Sequence, residues 1–263
     1  MGYEQITIEK QGHVASLILD RPDVRNAMSD RMGDEIAAAV AELNEDPSLR
    51  VLLVRGRGKS FAAGGDFDFI AARAKDSAEN NRQIMRRYYG KFLSIRQVSV
   101  PTIAVIHGAA IGAGLCFALG CDIRLAAEQA KLGLNFVRLG LHPGMGASYL
   151  VSRLVGPAKA AELMLSGRTI AAEEALACGL VNQLYADGDA LLAAARELAD
   201  DIAKGAPLAV RRTKASIQRA ANLSLDEMLD AEAYAQALDF STDDLAEGVK
   251  AFYEKRRPMF SGK

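Results

Sequence analysis

The chain has 263 residues, half of them hydrophobic, and its 32 basic and 33 acidic residues leave a net charge of −1. This length and composition allow one large hydrophobic core, or a core with a small appended domain. Because the charges balance, neither a nucleic-acid-binding surface nor an acidic tail is indicated.

Cysteine and histidine usage gives no sign of a disulfide framework or a metal site. The three cysteines are an odd number in apolar or small-residue surroundings, which favours reduced thiols and a cytoplasmic protein. The three histidines have no cysteine or carboxylate at metal-ligand spacing. Residues 1–20 lack the pattern of a signal peptide, and Pro101 with the glycines after it makes the uncharged stretch 100–121 a buried strand, turn and helix rather than a membrane span.

The first 44 residues predict two strands and a helix. Apolar and polar residues alternate before Asp20, which indicates two short strands broken at Gln11-Gly12. A helix is predicted over residues 29–44, with Ser29 as its N-cap.

The next segments predict a buried parallel sheet. Continuous apolar runs at 51–54 and 102–106 are typical of strands covered on both faces. A helical stretch at about 77–97 connects them, so the order of elements implies an α/β core.

The second half of the chain is mostly helical. Two further strands are predicted at 121–126 and 131–134. Predicted helices then follow near 144–154, 158–165, 171–177, 189–204, 207–221, 224–237 and 242–256. The change in character near residue 200 is a candidate domain boundary.

Two glycine-rich turns are the strongest functional signal. In one, a strand runs into Gly108, Gly112 and Gly114 and then into a helix of small residues; in the other, a strand and a turn lead to Gly64-Gly65-Asp66. Glycines let the backbone approach a ligand closely, and a helix start adds unpaired N–H groups. Two such amides converging on one carbonyl oxygen would form an oxyanion hole.

Six segments, in order, resemble those of the crotonase (enoyl-CoA hydratase/isomerase) superfamily. They are Arg21-Pro22 with Asn26-Ala27-Met28, residues 61–66, residues 108–122, residues 139–146, residues 171–181 and residues 252–258. The resemblance implies an α/β fold built as a right-handed spiral of ββα repeats. It also implies a spiral core with the acyl-CoA site over residues 1–200, and a helical C-terminal region, 201–263, that forms a homotrimer or a dimer of trimers and covers CoA.

The resemblance also implies which residues form the site. The two oxyanion amides fall on Gly65 and Ala113, which would stabilise the enolate of an acyl-CoA thioester; CoA enters as part of the substrate, and no separate cofactor is expected. His142 is a candidate catalytic residue. The candidate substrate-binding and CoA-binding residues are Arg25, Ala63, Asp66, Phe67, Cys116, Phe136 and Lys255.

The pattern departs from the superfamily at its acidic positions. The two hydratase glutamates map to Cys116 and Phe136, and the aspartate of relatives that isomerise dienes or displace halide maps to Gly144. Phenylalanine transfers no proton, and a cysteine with an ordinary pKa near 8.5 activates water poorly. Simple hydration is therefore doubtful, and isomerisation, decarboxylation or cleavage is favoured, as for an isomerase or lyase of fatty acid metabolism.

The sequence does not decide which residue transfers the proton. His142 and Cys116 are the first candidates, followed by Asp68, Tyr88 and Tyr89. Each has a simpler reading, since His142 fits a packing or capping residue in a loop and Cys116 fits a small core residue. In the same way, the cations near Lys255 fit a solvated helix end. A non-catalytic acyl-CoA-binding protein is the alternative to an enzyme.

Overall fold

Residues 2–263, described here in a computed structural model, form two β-sheets enclosed by helices. The strands are β1 (Ile6–Gln11), β2 (Val14–Leu19), β3 (Val51–Gly56), β4 (Ser60–Ala62), β5 (Thr102–Ile106), β6 (Ala109–Ile111), β7 (Ile123–Ala127), β8 (Lys131–Gly133), β9 (Thr169–Ala171) and β10 (Gln183–Tyr185). The α-helices are α1 (Asp30–Asn44), α2 (Phe67–Arg73), α3 (Ala78–Leu93), α4 (Ala113–Leu119), α5 (Ala147–Ser166), α6 (Ala172–Ala177), α7 (Gly188–Ala203), α8 (Pro207–Ala220), α9 (Leu225–Asp239) and α10 (Asp243–Glu254).

The larger sheet has six strands in the order β1-β2-β3-β5-β7-β10. Its first pair is antiparallel and the other neighbours are parallel. The strands β3 and β5, predicted from their apolar runs, lie in its middle, with Leu53 opposite Ile103. These two side chains pack with α7 on one face of the sheet, and the main core fills the other face. Burial on both faces explains why neither strand alternates in polarity.

The smaller sheet has four strands in the order β4-β6-β8-β9. From β3 to β8, consecutive strands alternate between the two sheets: β3, β5 and β7 lie in the larger sheet, and β4, β6 and β8 lie in the smaller one. Each such pair is followed by helical structure, so every turn of the chain adds one strand to each sheet. The spiral of ββα units that the resemblance implies is thereby confirmed.

Local sequence signals account for most helix ends. Ser29 caps α1 by accepting a hydrogen bond from the Met32 amide at 3.1 Å, as predicted. The two helices predicted near 144–154 and 158–165 are the halves of α5, which is interrupted at Gly156 (φ +77°) just before Pro157. The short helix α2 is an addition that the sequence did not predict.

The C-terminal helices α8, α9 and α10 follow the predicted order. A buried ion pair ties α8 to the sheet, where Lys214 lies 2.8 Å from both Asp122 Oδ2 and the Val100 carbonyl oxygen. The division proposed near residue 200 falls in the last turn of α7. Of the apolar residues on the C-terminal helices, Met228 is buried, whereas others are exposed: Leu225, Leu229, Leu238, Phe240 and Phe252.

Within residues 2–263, no helix combines the length and hydrophobicity that crossing a bilayer requires. The same residues contain no group of three or more histidine, cysteine, aspartate or glutamate side chains placed to hold a metal ion.

Candidate active site

The two glycine turns lie side by side because the strands before them are neighbours. Strands β4 and β6 pair in parallel, so their carboxyl ends share one edge of the smaller sheet. Gly64 follows β4 with φ +104°, and a Cβ added there would lie 2.8 Å from the Ile111 carbonyl oxygen and 3.8 Å from the Ala113 nitrogen. Only glycine allows this left-handed backbone to approach α4 so closely.

The amide of Gly65 is directed away from the segment that flanks β4. Gly65 forms a parallel bridge with Met28, in which Met28 donates to the Gly64 carbonyl at 2.8 Å and the Asp66 amide donates to the Met28 carbonyl at 3.1 Å. In this pattern the N–H of the bridged residue points to the opposite side. That side holds β6 and the start of α4, and the Gly65 amide has no hydrogen-bond partner among residues 2–263.

The amide of Ala113 is also free. Ala113 is the first residue of α4, where an N–H has no partner within the helix. Gly112 before it has φ +54° and donates its own N–H to the Gly133 carbonyl at 2.7 Å, which fixes the turn. A Cβ on Gly114 would lie 2.5 Å from the Ala62 carbonyl oxygen, so glycine here lets α4 start directly against β4. The two free amides therefore belong to adjoining turns.

A buried asparagine holds the first turn in place. Asn26 is fully buried, and its amide nitrogen donates to three carbonyl oxygens, those of Arg57, Ser60 and Phe61. The Arg25 carbonyl next to it accepts from the Ala63 amide at 2.9 Å. The Arg25 side chain is exposed and makes no hydrogen bond or ion pair within the described residues. Arg25 and Ala63 are thus brought together beside the turn, with an unpaired cation.

Asp66 stabilises the backbone next to the same turn. Its carboxylate caps α2 by accepting from the Asp68 and Phe69 amides, and it pairs with Arg21 at 3.1 Å. Burial raises the pKa of Asp66, but the hydrogen bonds from Arg21 and the two amides outweigh it and leave the pKa below its ordinary value. Phe67, the first residue of α2, is 70% exposed.

Cys116 lies one turn along α4 from Ala113 and is fully buried. Its thiol donates to the Gly144 carbonyl oxygen at 3.7 Å. Burial raises the pKa of Cys116 to about 12, so the thiol is neutral at physiological pH. Two of the three positions where the superfamily resemblance places acids, Cys116 and Gly144, are therefore in direct contact, and neither carries a charge.

Phe136 comes from the third parallel strand of the same sheet edge. It follows β8, the neighbour of β6, and is half-buried. A Cβ on Gly112 would lie 3.8 Å from its ring and 3.2 Å from Asn135 Oδ1. Gly65, Ala113 and Phe136 thus come from the carboxyl ends of three neighbouring parallel strands, which is where α/β proteins bind ligands.

No hydrogen bond or ion pair within the described residues ties the side chain of His142 or Lys255 to this group. His142 is exposed in the loop before α5, and the helix begins at Ala147 rather than near residue 144. Lys255 is the C-terminal cap of α10, with φ +53° and an exposed side chain. Neither side chain makes a hydrogen bond or ion pair within the described part of the chain, so their expected roles stay predictions.

Two adjacent tyrosines on α3 line the site. Tyr88 is buried, donates to the Met28 carbonyl at 2.7 Å and stacks on Phe69 at 4.6 Å between ring centroids. Burial raises its pKa. Tyr89 faces Gly144 instead, where an added Cβ would lie 2.9 Å from Tyr89 Cζ and closer still to its hydroxyl. Sequence alone ranks Tyr89 low among the proton-transfer candidates, because only the tertiary contact reveals its position.

The chain is similar to known proteins along nearly its whole length. The family model described as enoyl-CoA hydratase/isomerase matches residues 9–263. The chain is 37% identical over 264 residues to a crotonyl-CoA hydratase of Syntrophomonas wolfei, with 100% of both chains covered. It is 36% identical over 268 residues to a mitochondrial Δ3,5-Δ2,4-dienoyl-CoA isomerase of Dictyostelium discoideum, covering 98% of this chain and 92% of the isomerase. The crystal structure of an enoyl-CoA hydratase from Bacillus anthracis superposes with a TM-score of 0.92 at 34% identity, covering 99% of this chain and 100% of that one.

Proposed function

Because this chain belongs to the enoyl-CoA hydratase/isomerase family, we propose that it binds an acyl-CoA thioester with the carbonyl oxygen between the amides of Gly65 and Ala113. The observation that carries the proposal is that these two N–H groups lie on adjoining turns and have no partner among residues 2–263. Such donors stabilise the negative charge of an enolate oxygen, and each is worth about 3 to 4 kcal/mol in comparable sites.

The reaction is proposed to be an isomerisation, a decarboxylation or a C–C cleavage rather than simple hydration. Adding water to an enoyl thioester needs one group to deprotonate the water and another to protonate the α-carbon. Cys116 is neutral and fully buried, and Phe136 has no titratable group. The site therefore retains the charge-stabilising part of the family's machinery without the paired carboxylates that the superfamily resemblance implies for hydration.

The CoA part of the substrate is proposed to lie along Arg25, Ala63 and Phe67. Arg25 offers an exposed, unpaired guanidinium for a phosphate, and the exposed residue Ala63, whose amide donates to the Arg25 carbonyl, leads from it to the Gly65 amide. Phe67 adds an exposed aromatic ring next to the turn. Lys255 serves as a second cation, contributed by another subunit.

Assembly into a homotrimer, or a dimer of trimers, is proposed on the basis of the C-terminal helices. Leu225, Phe240 and Phe252 are each more than 70% exposed, which is unusual for large apolar residues of an isolated chain. Burying such faces between identical subunits would remove them from water. Light scattering at micromolar concentration tests this, and a stable monomer would contradict it.

The function is tested by a panel of enoyl-, malonyl- and aryl-CoA thioesters, measured for both binding and turnover. Binding raises the melting temperature, because a ligand that binds only the folded state stabilises it. An enzyme converts at least one thioester, whereas a non-catalytic acyl-CoA-binding protein shows the thermal shift alone. Arg25→Ala is expected to reduce the shift given by CoA thioesters, and Arg196→Ala on α7 is the matched control. Absence of a thermal shift with every thioester would contradict the proposal.

A further inference from the structure

The hydroxyl of Tyr89 stands where three parts of the site meet. Tyr89 lies on α3, and its Cζ and Cε1 would be 2.9 Å and 3.2 Å from a Cβ on Gly144. The Gly144 carbonyl in turn accepts the Cys116 thiol at 3.7 Å. The phenol therefore fills the volume that a side chain at position 144 would occupy, next to the position of Cys116.

The Tyr89 hydroxyl is available to a ligand. It makes no hydrogen bond within residues 2–263. Its oxygen is also not one of the buried side-chain atoms that lack a partner in that part of the chain, so it retains accessible surface. Tyr88, one residue earlier, is the opposite case, since its hydroxyl is committed to the Met28 carbonyl. The difference between these neighbours separates a packing tyrosine from one with a free donor.

The free hydroxyl lies close to the oxyanion amides. Cys116 follows Ala113 by three residues of α4, a rise of about 4.5 Å along the helix. On the other side, the rings of Tyr89 and Tyr88 are 6.3 Å apart, and the Tyr88 hydroxyl would be 3.9 Å from a Cβ on Gly65. Tyr89 is thus bracketed by residues that adjoin both amides.

The two titratable groups that meet at this position, Tyr89 and Cys116, are both proton donors. Burial, and then the neighbouring Cys116, raise the pKa of Tyr89, and burial raises the pKa of Cys116 to about 12. Near neutral pH the phenol and the thiol are both protonated, and the facing loop contributes the uncharged Gly144. Groups of this kind can deliver a proton to a carbanion but cannot remove one from a substrate.

We propose that Tyr89 is the catalytic acid of this site and that its substrates are 2-carboxyacyl-CoA thioesters. The proposal rests on the proposed function, because it requires a thioester oxygen at the Gly65 and Ala113 amides. The bond between the α-carbon and the carboxylate breaks, its electron pair forms the enolate, and carbon dioxide leaves. Tyr89 then donates its hydroxyl proton to the α-carbon, and the phenolate recovers a proton from water. No base is needed, because the enolate arises from loss of carbon dioxide.

Product stereochemistry in D2O tests the assignment with methylmalonyl-CoA as the probe. The unmodified protein should release propionyl-CoA carrying one deuterium in a single configuration, because the proton comes from one face. Tyr89→Phe should form propionyl-CoA about 10²-fold more slowly and give both configurations, since water must then protonate the enolate. Tyr185→Phe, a half-buried tyrosine in the cluster around α7, is the control and should change neither readout.

The outcomes separate this inference from the proposed function. A Tyr89→Phe protein that keeps both the rate and the single configuration overturns the role of Tyr89. A protein that binds thioesters in the thermal-shift assay without decarboxylating the probe overturns the substrate class while the proposed function stands. Absence of binding to every thioester refutes both. If Tyr89→Phe does not fold, Gly144→Ala gives a second test, because its methyl group displaces the phenol and should also yield both configurations.

Discussion

Tyr89 and Gly144, 55 positions apart in the chain, share one volume, because the phenol of Tyr89 occupies the space that a side chain on Gly144 would need. The contact joins α3 to the loop before α5, and it places a protonatable group where the superfamily resemblance maps an aspartate. The phenol of Tyr89 can therefore occupy this space only because position 144 has no side chain.

Gly144→Ala is expected to destabilise the protein by about 1 to 3 kcal/mol, because its methyl group would overlap the Tyr89 ring and force it aside. The double variant Gly144→Ala/Tyr89→Ser removes the ring and should be less destabilised than the sum of the two single variants. Urea unfolding of the four proteins measures the coupling between the two positions. Additive free energies of unfolding would show that the two groups do not compete for space.

Gly114→Ala is expected to cost both stability and activity, because its methyl group would meet the carbonyl oxygen and Cβ of Ala62 at 2.5 and 2.7 Å. Relief requires α4 to move away from β4, which separates the Ala113 amide from the Gly65 amide. The expected loss of stability is about 1 to 3 kcal/mol.

Gly90→Ala on α3 is the matched control for Gly114→Ala, since an added Cβ there meets nothing closer than 3.8 Å. Alanine is favoured over glycine in a helix by about 0.5 to 1 kcal/mol, so this variant should be slightly more stable. Thermal unfolding compares the two. Equal effects would mean that α4 does not depend on close contact with β4.

Crotonyl-CoA hydration is expected to be very slow despite measurable binding, and Cys116→Glu/Phe136→Glu should accelerate it. General acid and base assistance is typically worth a factor of about 10² to 10⁴, so supplying both groups should raise kcat with little change in affinity. Two carboxylates in an apolar site cost stability, so the variant must first be shown to fold.

The comparison for the hydration assay is the single variant Cys116→Glu, which supplies only one of the two groups. It should hydrate more slowly than the double variant. If the unmodified protein already turns over crotonyl-CoA at about 10² s⁻¹ or faster, another residue performs the proton transfers. His142→Ala would then be the next variant to assay.

Alkaline pH is expected to weaken the fold through two buried thiols. Burial raises the pKa values of Cys116 and Cys121 to about 12, whereas a cysteine in the unfolded chain has a pKa of about 8.5. The folded state therefore holds these protons more tightly than the unfolded state. The resulting contribution to the free energy of unfolding is complete below about pH 8.5. It falls as the pH rises towards 12, by up to about 1.4 kcal/mol per pH unit for each thiol.

Urea unfolding at pH 8 and pH 10 checks this thiol effect. The variant Cys116→Ala/Cys121→Ala should lose less stability between the two pH values than the unmodified protein, although it starts lower because of the cavities it creates. Cys178→Ala, which removes a half-buried thiol, is the control. Equal losses in all three proteins would show that the buried thiols ionise as readily as unfolded ones.

The fold could be predicted wherever a local signal was strong. The N-cap at Ser29, the apolar strands β3 and β5, and the punctuated C-terminal helices were all found where the sequence placed them. Three-residue strands such as β4 and β6 were missed, because segments rich in alanine carry little β-propensity and depend on a neighbouring strand for their structure. The seven-residue α2 was missed since it depends on the Asp66 cap rather than on an apolar period.

The candidate site was predicted in part for the same reason. Glycines mark positions that need unusual backbone angles or close approach, so the turns at Gly64 and Gly112 could be found by reading the chain. No sequence signal of this kind distinguishes Tyr89. Its relation to Gly144 depends on how α3 packs against a distant loop, which residue spacing along the chain does not encode.

The two donors at Gly65 and Ala113 belong to the main chain, so most substitutions leave them in place, whereas the side chains of the site can be replaced. A side-chain substitution at Ala113 leaves an N–H in place, and its orientation is held by the pairing of β4 with β6. Proton transfer depends instead on which side chains stand at positions 89, 116, 136 and 144, and substitutions can alter these. A descendant of this chain could therefore acquire a new reaction by a few substitutions while inheriting the proposed pair of enolate-stabilising amides unchanged.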